Sequence, residues 1–144
     1  MTTRTQIRDR ALEWVGTPYH HQACLKGVGA DCVGLLRGVF IETYGYDPEK
    51  PPTYSPAWGE STKDELLLQA AGKYLTPVSG LNWGVSDVLV FRIRNAASAK
   101  HCAIVVGDNK MIHAVSGRAV FVAGINAWAK QIAGTFSFPN LTGE

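Results

Sequence analysis

One cysteine and two histidines of this chain, Cys32, His101 and His113, have the types and positions that could together perform nucleophilic chemistry. Cys32 follows Asp31, a favourable N-cap residue, and precedes an apolar run that is typical of a helix. A thiol in the first turn of a helix faces unpaired backbone N–H groups and the positive end of the helix dipole, and both favour the thiolate. The sequence therefore predicts a reactive thiolate at Cys32.

The two histidines lie on successive segments that have the pattern of strands. A thiolate needs a base or imidazolium partner, and that partner needs a group that fixes its tautomer. A single strand histidine is as often a packed or surface residue, but two on adjacent strands after a helix-start cysteine favour catalysis. We assign His101 as the base or ion-pair partner of Cys32, and His113 as the group that orients His101.

The turn between these strands decides whether the two histidines can meet. Side chains alternate along a strand, so the histidines must fall on the same face of the sheet. A two-residue turn at Asp108-Asn109 would separate them, whereas a three-residue loop, Gly107–Asn109, would bring them together. We therefore predict the odd-length loop or an equivalent bulge, with Asn109 in the left-handed conformation.

The rest of the chain predicts helices first and strands after them, which is an α+β pattern. The predicted helices are Thr5–Val15, Asp31–Tyr44 and a third that follows a capping box at Thr62–Glu65. The predicted strands are Val88–Phe91, His101–Val106, Lys110–Val115, Ala119–Val122 and Thr135–Phe138. Proline-rich Asp47–Gly59 is predicted to be an extended connector. Gly34 and Gly38 predict a close approach of another backbone, which we expect to be a sheet.

Composition sets limits on the class of protein. A chain of 144 residues with 46% hydrophobic and 18% charged residues fits one domain, residues 1–144. A formal charge of +2 is too small to indicate a nucleic-acid partner. We find neither the apolar core of a signal peptide nor a stretch that could span a membrane. Three cysteines without a secretion signal predict free thiols and synthesis in a reducing cytoplasm. If the protein works outside the cell, another component must carry it there.

Five short blocks resemble, in the same order, the signature segments of NlpC-type cell-wall cysteine peptidases. The blocks are Gly16–Tyr19, Asp31–Leu35, Ser86–Phe91, His101–Gly107 and Ile112–Ala114. Each block alone is weak, but together they are fairly specific. The branch that the sequence most resembles is the phage-borne one, found in tail assemblies and gene-transfer-agent particles.

The resemblance implies a papain-like fold with N-terminal helices, in which the nucleophile begins a helix packed on an antiparallel sheet. It implies an endopeptidase that acts on peptidoglycan stem peptides, next to D-glutamate and a diamino acid, at the cell wall and without a cofactor. Phage-like tail proteins would be its partners. By match of position Cys32, His101 and His113 are catalytic, Tyr19 lies beside the substrate and oxyanion, and Asp31 and Val33 border the substrate groove.

Two departures from the family pattern touch that groove. Val33 stands where the family has a small hydroxyl residue, and His20-His21-Gln22 replaces a glycine pair. These departures do not change the expected reaction class, but they leave undetermined which bond is cleaved. An amidase or thiol acyltransferase with the same Cys–His pair is one alternative, and a non-enzymatic tail-tip protein is another.

Simpler interpretations exist for the remaining residues. Asp31 could be only an N-cap, and Tyr19 could simply pack. His20, His21, Cys24 and Cys32 match no common zinc-site spacing, so no metal is expected. Cys24 is interpreted as a loop thiol, and Cys102 as a small strand residue that faces away from His101. Any tryptophan could line a cleft, but nothing in the sequence selects one.

Overall fold

Helices cover one face of a six-stranded antiparallel sheet in the part of the chain that the computed structural model describes, residues 2–48, 65–79, 82–94 and 98–142. The α-helices are Arg4–Leu12 (α1), Cys32–Tyr44 (α2) and Leu66–Tyr74 (α3). The strands are Thr2–Thr3 (β1), Cys24–Leu25 (β2), Gly29–Ala30 (β3), Thr76–Pro77 (β4), Val88–Phe91 (β5), His101–Gly107 (β6), Lys110–His113 (β7), Phe121–Gly124 (β8), Ile132–Ser137 (β9) and Leu141–Thr142 (β10). A 3-10 helix, Asn126–Gln131 (η1), joins β8 to β9.

The large sheet has the strand order β4-β9-β5-β6-β7-β8. Strands β5 to β8 form the predicted meander, and β9 returns along the sheet to pair with β5 on the side away from β6. Two small pairs lie outside this sheet: β2 with β3, and β1 with β10, the latter parallel. The α+β fold with helices before an antiparallel sheet is therefore confirmed. None of the helices in the described segments is long and apolar enough to cross a membrane.

The alternation of side chains along the strands divides the core into two clusters. The cluster beneath the helices includes Val88, Val90, Cys102, Ile104 and Ile112 from the sheet. The opposite face carries the second cluster, built from Leu89, Phe91, Ala103, Val105, Met111 and Ile125 with Trp83 and Trp128 packed against it. A residue of β6 therefore contacts either the helices or the far face, according to whether its number is even or odd.

Helix α2 begins and ends at the predicted residues. The Oδ1 atom of Asp31 accepts a hydrogen bond of 2.7 Å from the backbone N–H of Gly34, as an N-cap does. Gly45 ends the helix in the left-handed conformation, with φ of 82°. Burial of apolar residues on the sheet side stabilises the helix. Because Asp31 is the N-cap, Cys32 is the first residue of the helix.

The predicted close approach of another backbone is confirmed at Gly34, but the expectation that this backbone belongs to a sheet is wrong, and at Gly38 a side chain approaches instead. A Cβ atom on Gly34 would lie 1.8 Å from the carbonyl oxygen of Ala23, in the loop before α2. A Cβ atom on Gly38 would lie 2.2 Å from ring atoms of Trp14, just after α1. The glycines therefore admit a loop carbonyl and an indole ring, because the small-residue side of α2 faces the N-terminal segment.

Several predicted boundaries shift. The first helix ends at Leu12, after which the chain turns and reaches Gly16 with φ of 91°. The fourth predicted strand lies two residues later, at Phe121–Gly124. The third helix is present, while residues 62–64 of its predicted capping box and residues 49–59 of the predicted connector lie outside the described residues.

Candidate active site

The hairpin between β6 and β7 places both histidines on the same face of the sheet. Asp108 and Asn109 form a two-residue turn, both with positive φ, at 52° and 56°. A β-bulge between Val105 and Gly107 inserts one extra residue and so restores the register that a two-residue turn alone would lose. The prediction of an odd-length loop or an equivalent bulge is therefore confirmed in its second form, and so is the left-handed conformation of Asn109.

The two histidines are joined directly. Nε2 of His101 lies 2.9 Å from Nδ1 of His113, and the ring centroids are 5.1 Å apart. His113 is fully buried, and burial is the main cause that lowers its pKa to about 4, with the positive charges of His101 and Arg118 acting in the same direction. His113 is therefore neutral at pH 7. Its Nδ1 can accept the hydrogen bond that a charged His101 donates from Nε2.

The thiol of Cys32 stands half-buried at the first position of α2, and its pKa lies well below the ordinary value. A hydrogen bond with the Cys102 thiol is the largest cause, burial opposes it, and the hydrogen bond and positive charge of His101 lower the pKa further. Because Nε2 of His101 is occupied by His113, Nδ1 is the ring nitrogen left for the thiol. The arrangement favours a thiolate–imidazolium pair.

Cys102 is a neighbour of the nucleophile that sequence reasoning placed only as a buried strand residue. It does face away from His101, as expected, but that is the face on which α2 packs. Its Sγ atom lies 3.3 Å from the backbone oxygen of Cys32, and its pKa is raised, first by the hydrogen bond with Cys32 and then by burial. We place the negative charge on Cys32, because the helix N-terminus and His101 act on that thiol.

Tyr19 forms an isolated parallel β-bridge with Ala30, two residues before Cys32 in the chain. Its backbone N–H donates a 3.0 Å hydrogen bond to the oxygen of Arg118, which fixes the segment beside the sheet. Burial raises the pKa of the phenol, and negative charge at Cys32 and then Asp31 raises it further. The hydroxyl therefore stays protonated and can donate a hydrogen bond near the reacting thiol. A contact between Tyr19 and substrate stays a prediction.

Asp31 and Val33 flank Cys32 in the chain but have different surroundings. Asp31 is buried, and its second oxygen, Oδ2, accepts a 2.8 Å hydrogen bond from the backbone N–H of Gln22. Both of its carboxylate oxygens thus hold backbone in place. Val33 is half-buried and packs against the helix-side core. Their predicted places in a substrate groove stay predictions.

The first turn of α2 supplies backbone donors next to the thiol. The N–H groups of Gly34 and Leu35 are bonded to Asp31. Within the described residues, the N–H groups of Cys32 and Val33 donate to no partner. Such free donors at the start of a helix can stabilise a developing oxyanion.

Aromatic rings surround the histidine pair, and sequence reasoning did not select them. Phe91 lies 5.8 Å from His101 and Phe121 4.8 Å from His113, measured between ring centroids. Trp128 of η1 contacts both histidines. The sequence gives one indication only: this tryptophan lies between two strands that come later in the chain than the two strands that carry the histidines.

The described residues contain no cluster of three or more His, Cys, Asp or Glu side chains that could hold a metal ion. His20 is exposed, and its Nδ1 atom lies 3.4 Å from the backbone oxygen of His21. Cys24 is half-buried, and burial raises the pKa of its thiol. Cys24 therefore lacks the environment that activates Cys32.

Comparison with known protein families gives a match over most of the chain. The model of the NlpC/P60 family matches residues 16–135. Among curated proteins, "Murein DD-endopeptidase MepS/Murein LD-carboxypeptidase" of Escherichia coli is 24% identical over 130 residues, which are 89% of this chain and 59% of the relative. The chain thus spans about three fifths of the length of the curated relatives that it matches.

Solved structures show the same fold. The NlpC/p60 domain of the peptidoglycan hydrolase SagA superposes with a TM-score of 0.70 at 22% identity, over 95% of this chain and 100% of that one. NlpC1 from Trichomonas vaginalis gives 0.71 at 14% identity, over 94% and 44%. RipD from Mycobacterium tuberculosis, described as a non-catalytic domain adapted to peptidoglycan binding, gives 0.60 at 14% identity, over 97% and 100%.

Proposed function

We propose that this chain, which belongs to the NlpC/P60 family, is a cysteine hydrolase that cleaves peptide bonds in peptidoglycan stem peptides. The observation that carries the proposal is geometric: Cys32 is the first residue of α2, and Nε2 of His101 lies 2.9 Å from Nδ1 of His113. The neighbouring Cys102 thiol and then His101 lower the pKa of Cys32, which is consistent with a thiolate. The names of the relatives, a murein endopeptidase and a peptidoglycan hydrolase, support the substrate class. A bond next to D-glutamate and a diamino acid is the one that we propose is cut.

Acylation begins with attack of the Cys32 thiolate on the carbonyl carbon of the scissile peptide bond. The C–S bond forms as the carbonyl π electrons move to oxygen, which becomes an oxyanion. The imidazolium of His101 then gives its proton to the leaving nitrogen, and the C–N bond breaks. The products of this half-reaction are a free amine and a thioester on Cys32, with His101 neutral.

Deacylation uses the same groups in the opposite direction. Neutral His101 takes a proton from a water molecule as the water oxygen attacks the thioester carbonyl. Collapse of the second tetrahedral intermediate breaks the C–S bond and restores the thiolate–imidazolium pair. His113 accepts the hydrogen bond from Nε2 of His101 throughout and thereby keeps Nδ1 directed at the reacting atoms.

The oxyanion of each intermediate needs donors that are already in place. The backbone N–H groups of Cys32 and Val33 are free for this purpose within the described part of the chain. The hydroxyl of Tyr19, which the raised pKa of the phenol keeps protonated, is the third donor that we propose. Preorganised donors of this kind contribute a large share of acyl-transfer catalysis, on the order of 10²–10³-fold each.

Two alternatives use the same fold. An amidase or acyltransferase needs the same Cys–His pair, and differs in the bond broken or in the acceptor. A non-catalytic peptidoglycan-binding domain is the role given for RipD. The lowered pKa of Cys32 and the joined histidines favour catalysis over binding alone, because a binding domain has no need of a thiolate.

Digestion of purified peptidoglycan followed by mass spectrometry of the soluble products tests the proposal. We expect fragments with a new amino group and a new carboxylate within the stem peptide. Release of intact stem peptides from the sugar would instead indicate an amidase, and acyl transfer to an added amine would indicate a transferase. Binding to the polymer without any product would indicate the non-catalytic role and contradict the proposal.

We also propose that the protein reaches the cell wall as a component of a phage-like particle, after synthesis in the cytoplasm. The support for this is the resemblance of the sequence to the phage-borne branch of the family. Mass spectrometry of particles purified from the producing cells would detect the chain with tail proteins. Its absence from such particles would refute this mode of delivery and leave the proposed chemistry unaffected.

A further inference from the structure

Among the residues that the structure describes, Trp128 is the one aromatic side chain outside the histidine pair whose ring contacts both histidines. Its ring stacks on His101, with centroids 5.6 Å apart and planes inclined by 29°, and stands perpendicular to His113 at 5.3 Å and 88°. The same ring meets Phe91 edge-on at 5.7 Å. One indole therefore spans the two residues whose hydrogen bond organises the site, from the sheet face opposite the helices.

The position of this indole is fixed by its own element. Trp128 lies in the middle of η1, and its backbone N–H donates a 2.8 Å hydrogen bond to Ile125, which is fully buried in the far-face cluster. The ring is half-buried, so one part packs against the histidines and another part meets solvent. A residue so placed separates the histidine pair from bulk water.

The histidine pair depends on such separation. Nε2 of His113 is buried and has no hydrogen-bond partner among the described residues. When Nδ1 of a neutral histidine accepts a hydrogen bond, its proton sits on Nε2, so this atom is an unpaired donor. An unpaired buried donor would bind water if water could reach it, and hydration of the ring would reduce the penalty that burial places on the protonated form.

A protonated His113 could not perform the proposed role, because both of its nitrogens would be donors. The charged groups that act on His113 are His101 on β6 and Arg118 on the segment before β8, and both are positive. Neither would stabilise a proton on His113, but exclusion of water is the larger influence on its charge. Removal of the Trp128 ring should therefore change the pKa of His113 first.

We propose that Trp128 is a positioning residue that covers the hydrogen bond between His101 and His113, excludes water from it, and thereby keeps His113 neutral and His101 oriented. The proposal rests on the proposed function for its consequence in catalysis. It does not depend on that function for its structural part, since the state of His113 can be measured without turnover.

Substitution of Trp128 separates this role from ordinary packing. Trp128→Ala opens the site to water, so His113 should take up a proton at a pH higher by about one unit or more. As the pH is lowered, Trp128→Ala should therefore lose hydrolytic activity at a higher pH than the parent protein, in a range where His113 of the parent is still neutral. The loss should appear in kcat more than in KM. Trp128→Phe keeps an aromatic cover and should restore most of the parent profile.

Trp83 offers a matched control. It packs against the same far-face cluster, and its Nε1 atom donates a 3.3 Å hydrogen bond to Asn109. Of these two tryptophans, both in the described part of the chain, Trp128 is the one in ring contact with the histidines. Trp83→Ala removes a ring of the same size from the same cluster. We expect it to lower the melting temperature while leaving the titration of His113 and the shape of the pH profile unchanged.

The deciding measurement is an NMR titration of the His113 ring in the full chain, with kcat/KM against pH measured on the same four proteins. We expect the pKa of His113 to be raised in Trp128→Ala only. In the same variant, the midpoint of the acid side of the kcat/KM profile should move to higher pH by a similar amount. If Trp128→Ala does not fold, Trp128→Leu, which covers the pair only in part, is titrated in its place. An unchanged His113 titration in the opened variant overturns the proposal. A shifted titration in a protein that never hydrolyses peptidoglycan leaves it standing and refutes the proposed function instead.

Discussion

At the scale of single residues, the activation of Cys32 comes from several weak influences that act together. The Cys102 thiol is the largest influence that lowers the pKa of Cys32, the His101 ring acts in the same direction, and burial opposes both. The position at the helix N-terminus also favours the thiolate. Cys24 and Cys102 lack this combination: burial raises the pKa of Cys24, and the hydrogen bond with Cys32, followed by burial, raises the pKa of Cys102. The chain thus carries one activated thiol and two internal controls.

Alkylation should distinguish the three thiols. At neutral pH we expect iodoacetamide to modify Cys32 faster than Cys24 or Cys102, because the thiolate is the nucleophile. A time course with peptide mapping gives the three rates in one sample. Equal rates at Cys32 and Cys24 would contradict the assignment of the activated thiol.

The two histidines should differ in their tolerance to substitution. His101→Ala removes the proton donor and acceptor and should lower kcat on the order of 10²- to 10⁴-fold. His113→Asn should cost less, because an amide oxygen can still accept from Nε2 of His101. His113→Leu cannot accept and should fall below His113→Asn. Steady-state kinetics on one peptidoglycan preparation check this order, and a greater loss in His113→Asn than in His101→Ala would mean that the roles are exchanged.

The neutral state of His113 should make stability depend on pH. Its pKa is about 4 in the folded protein and about 6.5 when unfolded, so the unfolded chain binds more protons between these values. The free energy of unfolding should therefore be highest above pH 6.5 and fall by roughly 3 kcal/mol as the pH drops to about 4. Urea denaturation at several pH values, compared with His113→Leu, isolates this contribution. If the free energy of unfolding had the same pH dependence in the parent and in His113→Leu, the contribution assigned to His113 would be contradicted.

At the scale of secondary-structure elements, glycine substitutions test how α2 is packed. Alanine favours a helix by about 1 kcal/mol over glycine. Gly34→Ala and Gly38→Ala should nevertheless lower the free energy of unfolding by about 1–3 kcal/mol, since each new methyl group overlaps a neighbour. Gly72→Ala in α3, where a Cβ atom meets nothing within 4 Å, should be neutral or stabilising. Urea denaturation compares the three, and destabilisation of Gly72→Ala to the same extent would refute the packing argument.

The elements show which parts of a fold sequence patterns can predict. Cap residues and apolar periodicity gave α2 its correct limits at Asp31 and Gly45, and β5 was predicted residue for residue. Two-residue strands such as β1 and β4 carry no periodicity of their own and depend on a distant partner, so they were missed. The glycines of α2 indicated that another group approaches the helix closely. They did not indicate whether a sheet, a loop or an indole ring makes the contact.

The site follows the same division. Residue types and order were enough to select Cys32, His101 and His113, and strand alternation reduced their meeting to one question about the turn. The sequence could not decide between a longer loop and a bulge, because both give the same register. Cys102 and Trp128 were not selected, since their contacts arise from packing across two layers that no local pattern encodes.

At the scale of the whole molecule, the sheet joins two layers that each supply part of the site. The helix layer brings the thiol to the sheet through α2, and Cys102 reaches it from β6. The far face supplies the covered histidine pair and the aromatic rings around it. The start of β6 is where both layers meet, because His101 and Cys102 are adjacent there and point to opposite faces.

The most direct test of the central claim, that Cys32 is the nucleophile of a peptidoglycan peptidase, compares the two neighbouring thiols by the same substitution. Peptide release from purified peptidoglycan is measured for the parent chain, Cys32→Ser and Cys102→Ser, with the folded state of each checked by circular dichroism. We predict that Cys32→Ser loses at least about 10³-fold in rate. Cys102→Ser, whose hydroxyl can still donate toward Cys32, should keep most of the activity. Undiminished release of the same peptides by folded Cys32→Ser would contradict the account.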